Sequence, residues 1–121
     1  MAIRGIRGAT QASANTHEAI DAATRELLTT IVTRNKIEQD DIVSVFLTAT
    51  VDLDAAYPAA AARKMGWTDI PLLDAQEIDV QNGLNRVIRV LMHVETELPR
   101  ARIHHVYLGE AAKLRPDLAG K

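Results

Sequence analysis

The sequence predicts an α+β fold, a mixed sheet of about five strands with helices on one face. Short segments rich in β-branched residues alternate with two segments of helical periodicity, and no repeat, linker or low-complexity stretch separates them. A length of 121 residues suits one domain with a single hydrophobic core, read here as residues 1–121 with 114–121 as a C-terminal tail.

Ile3 to Ala9 alternates in short apolar and basic steps and reads as the first strand. The polar break Gln11 to Asn15 then leads into a helix from Thr16 to Arg34, with Asn15 or Thr16 as its N-cap and Glu18 in the first turn. Ile20, Ala23, Leu27, Leu28 and Ile31 recur at helical spacing and form its core face, while Asp21, Arg25 and Glu26 face water. The run IVSVFLTAT from Ile42 reads as a buried strand. Pro58 suits the first position of a second, shorter helix through AAAARKM, and Gly66 suits its left-handed stop.

PLLDAQEIDV, from Pro71, reads as a strand that becomes irregular before Gly83. Val87 to Val94 places Ile88, Val90, Met92 and Val94 on one side and Arg89 and His93 on the other. That alternation, with its β-branched residues, favours a strand over a helix starting at Leu84. IHHVYL, ending at Leu108, is the final predicted strand, and the tail from Leu114 to Leu118 is ordered only if it packs on something.

A formal net charge of -2 supplies no global positive field, which argues against a nucleic-acid partner; a small anion needs a local arginine cluster instead. The chain contains no cysteine, so disulfides, thiolate metal sites and thiol nucleophiles are excluded. MAIRGIRGAT is not an apolar leader and no stretch is long enough to span a bilayer, so a cytoplasmic protein without membrane association is expected. His17, His93, His104 and His105 lack the i, i+4 spacing of a helical metal site, and neighbours on a strand point to opposite faces; no metal is expected. Neither Ser13 nor Ser44 has a nucleophile-elbow context, and there is no glycine-rich phosphate loop.

Taken singly, the polar residues have ordinary readings. Arg89 within an apolar strand needs a carboxylate partner, and a structural ion pair would satisfy it. Arg7 reads as a surface residue, Glu77 as a loop acid and Tyr107 as a core aromatic with a bonded hydroxyl. Arg63 and Arg115 read as solvated charges.

Together, five ordered blocks carry more. RGIRGAT at 4–10, DLDAAYPAAAAR at 52–63, GLNRVIRVLMHVET at 83–96, HVYL at 105–108 and LRPDL at 114–118 resemble the trimeric, α/β chorismate mutase family, over nearly the whole chain. The all-helical chorismate mutases are not resembled. The resemblance implies a homotrimer that forms a pseudo-α/β barrel, with three sites in clefts between subunits, chorismate as substrate, prephenate as product, and no cofactor. The rearrangement is pericyclic and needs no proton transfer. It needs a compact substrate conformer and stabilisation of the charge growing on the ether oxygen.

By the same resemblance Arg89 holds that oxygen together with a carboxylate, and Glu77 accepts from the substrate hydroxyl. Arg7 and Tyr107 hold a carboxylate, and Leu73, Asp74, Ala75 and Gln76 line the site. Tyr57 and Arg63 approach from the second helix, and Arg115 from the tail. The chain departs from the family pattern at Ala60, where lysine is common, at Tyr57, where phenylalanine is common, by one missing residue near Gly66, and at Asp74. A carboxylate at 74 repels a dianion unless it is protonated, turned toward Arg63 or bonded to the substrate hydroxyl. On one regular strand Asp74 and Glu77 also face opposite ways, so both reach a ligand only if the segment bulges or ends between them. The alternative function is a non-catalytic trimeric module that binds a small carboxylate metabolite.

Overall fold

The computed structural model describes residues 1–117, so Leu118, the last residue of the LRPDL block, lies outside the described residues. Strand β1 (Ala2–Gln11) is followed by helix α1 (His17–Asn35), β2 (Ile42–Ala49), helix α2 (Pro58–Lys64), β3 (Leu72–Gln76), β4 (Val87–Thr96) and β5 (Val106–Tyr107). The sheet order is β3-β2-β4-β1-β5. β4 pairs antiparallel with both β1 and β2, and the edge strands β3 and β5 pair parallel with β2 and β1. The expected mixed five-stranded sheet is present.

Thr16 is the N-cap of α1: its hydroxyl accepts from the Ala19 N–H at 3.1 Å. Asn15 is used elsewhere, its side-chain oxygen accepting from the backbone N–H groups of Asp54 and Ala55. α1 ends on Lys36 in the left-handed region (φ 53°), and the Ile37 N–H closes back on the Val32 carbonyl. α2 begins at Pro58, and the chain reverses at Gly66 (φ 93°).

One sheet face is covered by the helices. Ile6, Val45, Leu47, Ile88, Val90, Met92 and Val94 join Ile20, Leu27, Leu28 and Ile31 of α1 in one buried cluster. α1 crosses β1 at Gly8, where a side chain has no room: a Cβ there would lie 2.8 Å from Ile31 Cδ1, 2.9 Å from Val90 Cγ1 and 3.1 Å from Leu27 Cδ1. All three neighbours sit in the closed core and Val90 is stiff at χ1, so one methyl forces them apart together. Gly8→Ala is expected to lower stability by about 1–3 kcal/mol, read as a shift in the urea midpoint at unchanged slope.

The other face carries no α-helix among the described residues. Alternation puts Ile3, Phe46, Leu73 and Leu91 on it, each between 40% and 56% exposed. The run from Ile42, expected to be a buried strand, is therefore buried on one side only: Val45 and Leu47 enter the core while Val43 and Phe46 do not. The final strand is also shorter than expected. Asn35 takes both backbone groups of His104, with His104 N donating to Oδ1 at 2.8 Å and Nδ2 donating to His104 O at 2.9 Å. Ile103 to His105 is thereby tied to the end of α1, and only Val106 and Tyr107 reach the sheet.

Candidate active site

Register across the sheet brings distant parts of the chain into one row. Tyr107 lies opposite Ala9, Ala9 opposite Arg89, Arg89 opposite Thr48, and Thr48 opposite Ala75. Partnered residues share a face, and for this row it is the face without helices. The small Ala9 separates the two large polar side chains on β5 and β4.

β3 ends at Gln76, yet the Glu77 N–H still donates to Ala49 O at 2.9 Å, which carries Glu77 over the end of the row. Glu77 Oε2 lies 3.0 Å from Arg89 Nε and accepts the Thr48 hydroxyl at 2.6 Å. Oε1 accepts from no group among the described residues. With the Arg89 side chain 46% exposed and that of Glu77 only 15%, the pair joins a shielded carboxylate to a solvent-facing cation. Such a pair contributes little to folding and keeps its charge available to a ligand.

Beside this pair is a hollow of about 790 Å3, lined by Thr48, Gln76, Glu77, Arg89, Leu114 and, from the loop before β4, Asp79, Val80 and Gly83 to Asn85. The loop is anchored where Asp52 accepts from the Arg86 N–H at 3.0 and 3.2 Å, and Arg86 there has a φ of 51°. Burial alone would raise the Asp52 carboxyl, but the Thr50 hydroxyl and the Arg86 N–H outweigh it and hold it below its ordinary value. A second hollow of about 550 Å3 is lined by His17, Tyr57, Ala60, Asp74, Ala75 and Gln76. Gln76 borders both.

The candidate residues are thus divided. Glu77 and Arg89 lie in the first hollow, Tyr57, Asp74 and Ala75 in the second, and Leu73, Arg63, Arg7, Tyr107 and Arg115 in neither. Arg7, Tyr107 and Arg115 form a third group at the β1–β5 edge. The Arg7 N–H donates to His105 Nδ1 at 2.9 Å. Burial first, and then the cations of Arg7 and Arg115, depress the His105 pKa below its ordinary value, which keeps Nδ1 able to accept. Arg115 is held in a fork by Asp117, at 3.0 Å from Nε and 2.8 Å from Nη2. That bond raises the Arg115 pKa, with Tyr107 a smaller influence. The fork takes the Nε–Nη2 edge of the guanidinium, and the Nη1 group lies outside it.

Asp74 has a backbone partner that the sequence did not suggest. It shares its strand parity with Leu72 on the helix side, and both carboxylate oxygens accept from the Ala59 N–H, at 3.1 and 3.3 Å, at the start of α2. Burial raises its pKa, against the lowering by this bond and by the Arg63 charge. Asp74 and Glu77 do face opposite ways, and the strand ends between them.

Thr48 was not legible as a site residue, because a threonine in an apolar run reads as an ordinary strand former. Its signal was parity: it alternates with Phe46 and Ser44, away from the core. Among the described residues no group of three or more histidines and carboxylates is placed to hold a metal, and no helix is long and apolar enough to cross a membrane.

Comparison with known proteins places this arrangement. The family model described as chorismate mutase type I matches residues 3–118. Chorismate mutase AroH of Bacillus subtilis (strain 168) is 46% identical over 120 residues, 98% of this chain and 94% of that protein. Its counterpart in Thermus thermophilus is 49% identical over 117 residues, 96% of each. A solved chorismate mutase from Clostridium thermocellum superposes with a TM-score of 0.89 at 49% identity, covering 91% of this chain and 98% of that one. Family match, full-length similarity and superposition agree: the chain belongs to the type I chorismate mutase family.

Proposed function

We propose that this chain is a chorismate mutase, an isomerase that rearranges chorismate to prephenate in aromatic amino acid biosynthesis. The observation that carries the reading is the Arg89–Glu77 pair, a forked cation held at one edge by a carboxylate whose second oxygen has no partner among the described residues. Arg89 stabilises the charge that grows on the ether oxygen as the carbon–oxygen bond breaks, a contribution that preorganised donors make without reorganising. Glu77 Oε1 accepts from the substrate hydroxyl. Arg7 and Tyr107 hold a carboxylate, and Arg115 closes over it. No proton moves, so no cofactor is needed.

The sites are completed by neighbours in a homotrimer. Two observations support this: the helix-free face exposes Ile3, Phe46, Leu73 and Leu91, and the candidate residues lie in two hollows and an edge group rather than one pocket. In this arrangement Tyr57, Arg63, Leu73, Asp74, Ala75 and Gln76 of one subunit wall the cleft that holds the Arg89 of another. Cytoplasmic placement rests on the biosynthetic role. Full-length similarity to chorismate mutases does not favour the alternative of a non-catalytic binding module.

Loss of chorismate absorbance with purified protein, read beside its sedimentation, tests the proposal. A folded trimer that binds chorismate without converting it would leave the binding module as the correct reading, and full activity in a dilute monomer would remove the shared site.

Asp74 supplies a sharper test of the second wall. Its charge sits beside the 550 Å3 hollow and opposes a dianionic ligand, whereas asparagine still accepts from the Ala59 N–H. The sign of the stability effect follows from the raised pKa: stability from this group is complete below its ordinary value of 3.8 and is lost as the pH rises through the folded value. Asp74→Asn is therefore expected to keep or raise stability at neutral pH and to lower KM roughly threefold or more, with kcat little changed. An unchanged KM would place Asp74 outside the cleft, and a higher one would make its carboxylate a substrate-binding group.

A further inference from the structure

Glu77 is restrained by more than its ion pair. Its Oε2 is shared between Arg89 Nε, on β4, and the Thr48 hydroxyl, on β2, and its backbone N–H is held by Ala49, the residue after Thr48. Thr48 and Arg89 are direct cross-strand partners, so the hydroxyl and the guanidinium approach one carboxylate oxygen from adjacent strands. We propose that Thr48 is a positioning residue for the rearrangement, fixing the rotation of the Glu77 carboxylate so that Oε2 stays with Arg89 and Oε1 remains for the substrate. The proposal rests on the reaction assigned above and adds a residue to its machinery.

The physical need is specific. The last torsion of a glutamate is broad and nearly two-fold, so an ion pair alone does not decide which oxygen faces which partner. A guanidinium also prefers a carboxylate in a two-pronged fork. Without a second restraint, Arg89 and Glu77 can close on one another with both oxygens, withdrawing the cation from the ether oxygen and the carboxylate from the hydroxyl. The hydrogen bond that the Thr48 hydroxyl donates to one oxygen, at 2.6 Å, opposes that closure. Thr48 is suited to the task because a β-branched side chain on a strand has few rotamers.

A merely structural threonine would lose stability on substitution and leave the kinetics of the folded protein alone. The test compares Thr48→Val, which keeps the shape without the hydroxyl, and Thr48→Ser, which keeps the hydroxyl, each alone and with Glu77→Ala. Thr48→Val is expected to lower kcat about tenfold, with KM changed by less than about twofold, and Thr48→Ser to restore most of the loss. In the Glu77→Ala background, Thr48→Val is expected to cost nothing further. A folded Thr48→Val enzyme at parental kcat, or one that loses the same factor with and without Glu77, overturns the proposal. Should valine prevent folding, Thr48→Ala is read against the same two criteria.

Calorimetric affinity for a stable bicyclic ether dicarboxylate that mimics the transition state gives a readout independent of turnover. Thr48→Val is expected to bind it about tenfold more weakly, and only when Glu77 is present. Equal binding by both proteins overturns the role of Thr48. Parental protein that binds the mimic but leaves chorismate intact overturns the reaction and not the positioning.

Discussion

Replacing Arg89 with lysine is expected to lower turnover roughly a hundredfold or more, with a much smaller change in KM and with the assembly intact. The guanidinium has one edge beside Glu77, 3.0 Å from Nε, and is 46% exposed, so the side chain is presented to the hollow rather than sealed into the fold. Lysine keeps the positive charge but offers a single flexible ammonium, which cannot stay with Glu77 and also bridge an ether oxygen and a carboxylate. In the proposed mechanism the missing interaction exists chiefly in the transition state, where the ether oxygen carries its charge, so kcat falls more than affinity. A neutral isostere such as citrulline keeps the shape and removes the charge, and is expected to cost more than lysine. Circular dichroism and sedimentation establish the fold first, and chorismate consumption then gives both constants. A folded, trimeric Arg89→Lys protein working near the parental rate would remove the electrostatic mechanism and return Arg89 to a structural or binding role.

Arg89 was the most legible residue in the sequence because its position conflicts with its surroundings. A charge in an alternating apolar strand must point away from the core and find a carboxylate, and parity alone put it on the opposite side from Ile88 and Val90. The same counting separated Asp74 from Glu77. Legibility ended where long-range partners decide the outcome. No local pattern announces that Asn35, at the end of a helix, will hold the backbone of His104, 69 positions away, and so shorten the last strand. Nor does one announce that Asp74 will turn to the backbone of α2, since a carboxylate after two leucines reads equally well as exposed or site-facing. The grouping of Arg7, Tyr107 and Arg115 came from the family resemblance, because each alone has an ordinary surface or core reading. Their proximity is visible only through the β1–β5 edge, where Arg7 and Arg115 both bear on His105.

That edge also makes Asn35 the residue whose loss should do the most damage without touching the cleft. Asn35 is 2% exposed and uses all of its side chain: Nδ2 donates to Ile31 O and His104 O, both at 2.9 Å, and Oδ1 accepts from His104 N. Alanine leaves the two backbone groups of His104 without these partners, and burial limits their replacement by water. Asn35→Ala is expected to cost about 2–3 kcal/mol, measured from the urea midpoint. Aspartate is no remedy, since it lacks both donors and buries a charge. The released segment carries His105, whose Nδ1 accepts the Arg7 N–H, and runs directly into Tyr107. Arg7 and Tyr107 therefore lose their mutual alignment, and KM is expected to rise with the loss of stability. The same link sets a pH dependence. The folded pKa of His105 lies below its ordinary value of 6.5, so its contribution is complete above 6.5 and is lost as the pH falls through the folded value. The parental protein should lose stability over that acid interval, while Asn35→Ala, with the histidine already freed, should lose less. An Asn35→Ala protein that matches the parental midpoint and keeps its KM would show that the β5 edge is held by its sheet pairing alone.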